Sequence, residues 1–148
     1  MSSYVQVLYQ IVFCTKYRRP TLIKPRRERL FKYIWGICKR RRCHLYRING
    51  IEDHIHLIVR VHPSVALADL VREIKVAASQ YIKEEGIFPD FTRWQTGYAA
   101  FSYTPEALPN LIRYVKNQEV HHGRESSKEE LVRLLAEHEV EYDPQYLE

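Results

Sequence analysis

The chain has 148 residues, 45% hydrophobic and 28% charged, ordinary values for a single globular domain with its own core. No apolar run reaches the length of a membrane span and Met1–Gln6 lacks signal-peptide character, so the expected location is cytoplasmic, without membrane contact. Cys14, Cys38 and Cys43 have no C-x-x-C spacing; they suit a reducing compartment and argue against zinc knuckles. The net charge of +5 is unevenly spread: the first sixty residues carry fourteen Lys/Arg against three acids, net +11, and the remainder is net −6. A basic half of this size points to a polyanionic partner, nucleic acid first.

Alternating apolar residues from Tyr4 to Phe13 predict a first strand. Residues 15–29 gather Lys16, Arg18, Arg19, Lys24, Arg26, Arg27 and Arg29 around Tyr17, Pro20 and Pro25. Pro25 suits the start of a helix whose inner face would be Leu30, Phe31, Ile34, Trp35 and Cys38. That helix runs into Lys39, Arg40, Arg41 and Arg42, more cations than its dipole needs, so both basic groups are expected to hold a phosphate backbone.

A strand at 43–48 and a turn at Asn49-Gly50 lead into a third strand, 54–61. Ser64 is the expected cap of a helix with Leu67, Leu70, Val71, Ile74, Ala77, Ala78 and Tyr81 on one stripe, ended by Gly86. A strand at 98–103, a helix from 104 to a stop at Gly123 that Pro109 restarts or kinks, and an amphipathic helix at 127–138 complete the order. Six elements in the order β-α-β-β-α-β predict an α+β, ferredoxin-like split βαβ fold: a four-stranded antiparallel sheet with two helices on one face. The helix after the last strand and the C-terminal helix are additions to it.

On a strand, His54 and His56 project to one face while Ile55, Leu57 and Val59 line the other. Two parallel imidazoles are plausible metal ligands. On the helix that follows, Tyr114, Gln118 and His121 fall in a band beside the apolar stripe, with Tyr114 and Gln118 one turn apart. Phosphoryl transfer would unite these groups, with Tyr114 as nucleophile and an ion held by two imidazoles and an amide oxygen. No cysteine or tight carboxylate cluster is evident beside the histidines, which argues against a closed structural zinc site.

Three ordered stretches carry a family resemblance: Asp53–Leu57, Trp94–Ser102 and Tyr114–His122, with a similar tail at Glu141–Leu147. Over essentially its whole length the chain resembles the single-tyrosine HUH transposases of minimal insertion sequences and their REP-associated relatives. The resemblance implies cleavage and rejoining of single-stranded DNA at hairpin-bearing element ends, through a 5′-phosphotyrosine on Tyr114. It further implies Mg²⁺ or Mn²⁺ on His54, His56 and Gln118, and a homodimer with shared active sites. His121 and His122 match its pattern without an assigned role. Residues 1–123 would form the catalytic domain, with 124–148 a helix and tail of the same unit. The alternatives are a non-catalytic single-stranded nucleic-acid binder of the same fold, a domesticated REP-associated nuclease, and a plasmid-type nicking enzyme.

Overall fold

The computed structural model describes residues 3–147, with the side chains of His121 and Tyr146 outside the description. Its frame is an antiparallel sheet of β1 (Leu8–Cys14), β2 (His44–Gly50), β3 (His54–Arg60) and β4 (Ala99–Tyr103) in the order β2-β3-β1-β4. This is the expected split βαβ arrangement, and it puts the histidine strand inside the sheet. β3 is held on both sides, with His56 opposite Val12 of β1 and Asn49 of β2. A side chain at Gly50 would collide with the His54 carbonyl, so the tight β2–β3 connection needs glycine there.

Helices α1 (Lys24–Arg40) and α2 (Leu67–Glu85) cover one face. Leu30, Ile34, Ile37 and Cys38 of α1 meet Leu70, Val71, Ile74, Ala78 and Ile82 of α2 over Ile11, Phe13, Ile55, Leu57 and Val59. Burying each large aliphatic side chain here contributes about 1.5–3 kcal/mol. Trp35, expected inside, is 49% exposed: it stands on the edge of the α1 stripe, and Ile37 takes the inner place. Ser64 does not cap α2, which starts three residues later at Leu67 behind Ala66; the serine hydroxyl pairs with His62 instead. Gly86 ends α2 in the left-handed conformation its missing side chain permits.

The opposite face receives the added helices. The helix predicted from 104, restarted or kinked at Pro109, is divided into a 3-10 turn at Pro105–Ala107, α3 (Leu108–Lys116) and α4 (Gln118–His121). The break is at Asn117, with φ −97° and ψ 23°. Leu111 and Val115 pack on Leu8 and Ile58, fixing α3 to the sheet. Asn49 of β2 donates to the carbonyls of Val115 (3.1 Å) and Lys116 (3.0 Å), satisfying the end of α3 where the chain breaks. α5 (Ser127–Glu137) begins with a reciprocal capping box between Ser126 and Glu129, and its Leu134 and Leu135 rest against Phe101.

Candidate active site

Strand alternation turns His54 and His56 to the face covered by α3, α4 and α5, where both are buried. Their Nε2 atoms meet His122, just beyond α4, and Glu130 of α5. Glu130 Oε1 lies 3.2 Å from His54 Nε2, 2.8 Å from His56 Nε2 and 3.1 Å from His122 Nε2. The amide oxygen of Gln118 points to the same place, 3.2 Å from His54 Nε2 and 3.0 Å from His122 Nε2. The opposite ring nitrogens are all occupied. His54 Nδ1 is 2.7 Å from Asp53 Oδ1, His56 Nδ1 is 2.8 Å from Gln10 Oε1, and His122 Nδ1 is 2.7 Å from the Glu125 carbonyl. Those three oxygens are acceptors, so each Nδ1 carries a hydrogen, and the Nε2 of a neutral ring presents a lone pair inward.

The centre sets the acceptor oxygens of Glu130 and Gln118 against imidazole nitrogens, of which only a charged ring supplies a hydrogen. Burial lowers His56 to about 4, despite its contact with Glu130, leaving it neutral near pH 7. Its lone pair then faces the carboxylate with no proton between them. Burial also works against charging His54, but hydrogen bonds to Asp53 and Glu130 more than offset this and raise it to about 9. For Glu130, burial favours the neutral acid, yet the three imidazoles hold it well below the usual carboxylate range. Three nitrogens and one carboxylate oxygen lie within 4.8 Å of one another, a donor set and spacing that fit a divalent cation.

Tyr114 comes to this centre within the same chain. Its hydroxyl donates to Glu130 Oε2, the oxygen turned away from the imidazoles, and accepts from Arg133 Nη2 at 2.6 Å. Gln118 Nε2 donates to the same Oε2 at 3.1 Å. Burial and the Glu130 contact raise the phenol well above its ordinary range, with Arg133 opposing them. One carboxylate thus faces the imidazoles with one oxygen and the phenol with the other. A cleft of about 600 Å³, with Arg18, Gln95, Tyr98 and Phe101 among its lining residues, opens beside His54 and Glu130.

The structure accordingly brings together His54, His56, Tyr114 and Gln118. It adds His122, Glu130 and Arg133, and Glu130 brings a single carboxylate beside the histidines. One available signal was the α5 pattern: Ser127, Glu130 and Leu134 share a buried stripe at helical spacing, so an acid sits where an apolar residue belongs.

The cations predicted to meet DNA are scattered in their surroundings. Arg27 is turned inward, 4% exposed, and donates to the Gly50 carbonyl at 2.8 Å. Arg26 reaches the Gly86 carbonyl at 3.1 Å, and Arg41 pairs with Glu73 at 3.3 Å. Arg18 donates to Ser127, whose hydroxyl in turn donates to Asp53. Lys16 and Arg19 flank the Tyr17 ring, and Lys39 stands over Trp35. Arg40 and Arg42 are exposed.

Residues 3–118 match the family described as "Transposase IS200 like". The chain belongs to the IS200-like transposase family. This IS200-like transposase is 20% identical over 118 residues to the ISDra2 transposase TnpA of Deinococcus radiodurans, spanning 76% of this chain and 84% of that one. A crystal structure from Deinococcus radiodurans R1, described as a transposase, resembles it with a TM-score of 0.63 at 19% identity, over 80% of this chain and 95% of that one. A REP-associated tyrosine transposase bound to a REP hairpin gives a TM-score of 0.62 at 18% identity, over 83% and 75%. These structural likenesses establish the shared fold. His122, Glu130 and Arg133 lie beyond the family-matched segment. Among the described residues, no helix is long and apolar enough to cross a membrane.

Proposed function

We propose that this chain cuts and rejoins single-stranded DNA through Tyr114, forming a 5′-phosphotyrosine and releasing a 3′-OH. The observation that carries the reading is the shared carboxylate: Tyr114 donates to the same Glu130 on which three imidazole nitrogens converge. His54, His56 and Gln118 would hold a divalent ion, Mg²⁺ or Mn²⁺, with His122 and Glu130 at hand as further ligands. When bound, that ion supplies Lewis-acid polarisation of the scissile phosphate.

The chain's own groups divide the remaining work. Asp53, Gln10 and the Glu125 carbonyl orient the imidazoles, and Glu130 Oε2 receives the phenol proton as Tyr114 attacks phosphorus. Retaining the phosphoester in a covalent link allows the released 3′-OH to be rejoined without an external energy source. The substrate is DNA with hairpins near the element ends, a reading supported by the REP hairpin bound to one structural relative. Residues 1–123 form the catalytic domain and 124–148 belong to the same unit, as the place of Glu130 supports. The protein works in the cytoplasm as a homodimer.

The test incubates the protein with hairpin-bearing single-stranded DNA and Mg²⁺ or Mn²⁺ and resolves covalent adducts by denaturing electrophoresis. The adduct should form with the wild type and vanish in Tyr114→Phe and in the His54→Ala, His56→Ala double variant. An adduct that survives Tyr114→Phe sinks the nucleophile assignment.

A further inference from the structure

Arg133 is fixed by more contacts than a solvated surface arginine requires. Its Nη2 donates to Glu125 Oε1 at 2.8 Å, its Nη1 to Glu137 at 3.0 Å, and its Nε sits 3.3 Å from Glu125. Held in this way, Nη2 also donates to the Tyr114 hydroxyl at 2.6 Å, and the guanidinium carbon lies 5.5 Å from the Tyr114 ring centre. It is 37% exposed, so one side of the planar group remains open to solvent. It stands three residues after Glu130 on α5, and both side chains reach the same phenol oxygen from one helix.

We propose that Arg133 is a catalytic residue that binds the scissile phosphate and the phosphotyrosine formed from it; the proposal rests on Tyr114 being the nucleophile. In the step, the Tyr114 Oη–P bond forms and the P–O3′ bond breaks. The phenol proton passes to Glu130 Oε2, and the departing 3′ oxygen takes a proton from water. The non-bridging oxygens on phosphorus are two bonds from Oη, the atom Arg133 already touches. A donor at Oη therefore reaches them with a small turn of the guanidinium. The Nη2–H that now holds the phenol oxygen, a permanent charge and prior fixation by Glu125 and Glu137 are what stabilisation of an expanding phosphoryl group demands. Fixation also means that little side-chain freedom is lost when the phosphate arrives.

The experiment measures single-turnover adduct formation on hairpin-bearing single-stranded DNA for wild type, Arg133→Lys and Arg133→Ala. DNA affinity is measured separately in a Tyr114→Phe background, and thermal melting confirms folding. Arg133→Ala should slow the adduct about a hundredfold or more, as when a transition-state donor is lost, with DNA affinity nearly unchanged. Arg133→Lys should be intermediate, and guanidinium ion in the buffer should partly rescue Arg133→Ala. On a substrate with an uncharged methylphosphonate at the scissile position, the penalty should shrink. A variant that forms adduct at the wild-type rate or faster overturns the proposal, as does a defect matched by equal loss of DNA affinity. If the wild type forms no adduct, the reading of Tyr114 falls and this role falls with it. A working wild type beside an unimpaired Arg133→Ala removes Arg133 alone.

Discussion

His56 and Gln10 meet on neighbouring strands, with His56 Nδ1 2.8 Å from Gln10 Oε1 and both side chains fully buried. Gln10 is itself fixed, because its Nε2 donates to the Tyr103 hydroxyl at 2.9 Å. Its amide oxygen can only accept, so it dictates which nitrogen of His56 faces the centre.

Gln10→Leu removes that acceptor while keeping side-chain volume. Mn²⁺ affinity, measured by calorimetry, should fall about 10–100-fold, the range for losing a group that orients a ligand. Unchanged affinity would show that the His56 tautomer is set elsewhere.

The metal-free protein should be most stable near pH 6.5. His54 is raised to about 9 against burial, chiefly by Asp53, so its contribution is complete below 6.5 and is lost as pH rises through 9. His56 is lowered to about 4 by burial, so the unfolded chain takes up its proton first and stability falls as pH drops from 6.5 towards 4. Cys38, raised by burial to about 12, removes further stability above pH 9, where the unfolded thiol ionises. Thermal melting in EDTA across pH 4–10 should give a maximum with losses on both sides; a flat profile would contradict the charge assignment.

Asn49→Ala should cost about 1 kcal/mol, because two carbonyls at the end of α3 lose their donor. The larger consequence is geometric. Tyr114 and Gln118 lie on either side of the Asn117 break, so adduct formation should slow more than DNA binding weakens. Denaturant melts paired with single-turnover rates check both parts.

Reversing charge at Lys39, Arg40 and Arg42 should weaken hairpin binding and flatten its dependence on salt. Arg27→Ala should behave differently, since its guanidinium serves the Gly50 carbonyl: it should lower the melting temperature and leave the salt slope alone. Binding titrations at several salt concentrations separate the two. A shallower slope in Arg27→Ala would mean that it reaches DNA after all.

The fold was legible because period-two and helical stripes define each element, and the β-α-β-β-α-β order restricts their assembly. His54 and His56 were placed on one face by strand alternation, whereas Tyr114 and Gln118 were singled out through the family resemblance, and the helix they were expected to share breaks between them at Asn117. His122 and Glu130 were not, since each joins the centre from its own element and no spacing links them to β3. Arg27 shows the limit of counting charge: it belongs to the basic half by sequence, yet its folded role is a backbone hydrogen bond. Trp35 shows the limit of a helical wheel, which cannot say how wide the covered stripe is. The α3–α4 break also escaped notice, because the Asn49 side chain that terminates α3 comes from a strand some sixty-six residues earlier.

The two oxygens of Glu130 belong to one rigid plane, one toward the imidazoles and one toward the Tyr114 hydroxyl. Turning either oxygen must turn the other. Ligand assembly and the freedom of the nucleophile are thus geared through a single side-chain torsion, so a rotation confined to one residue can report the state of one half of the site to the other.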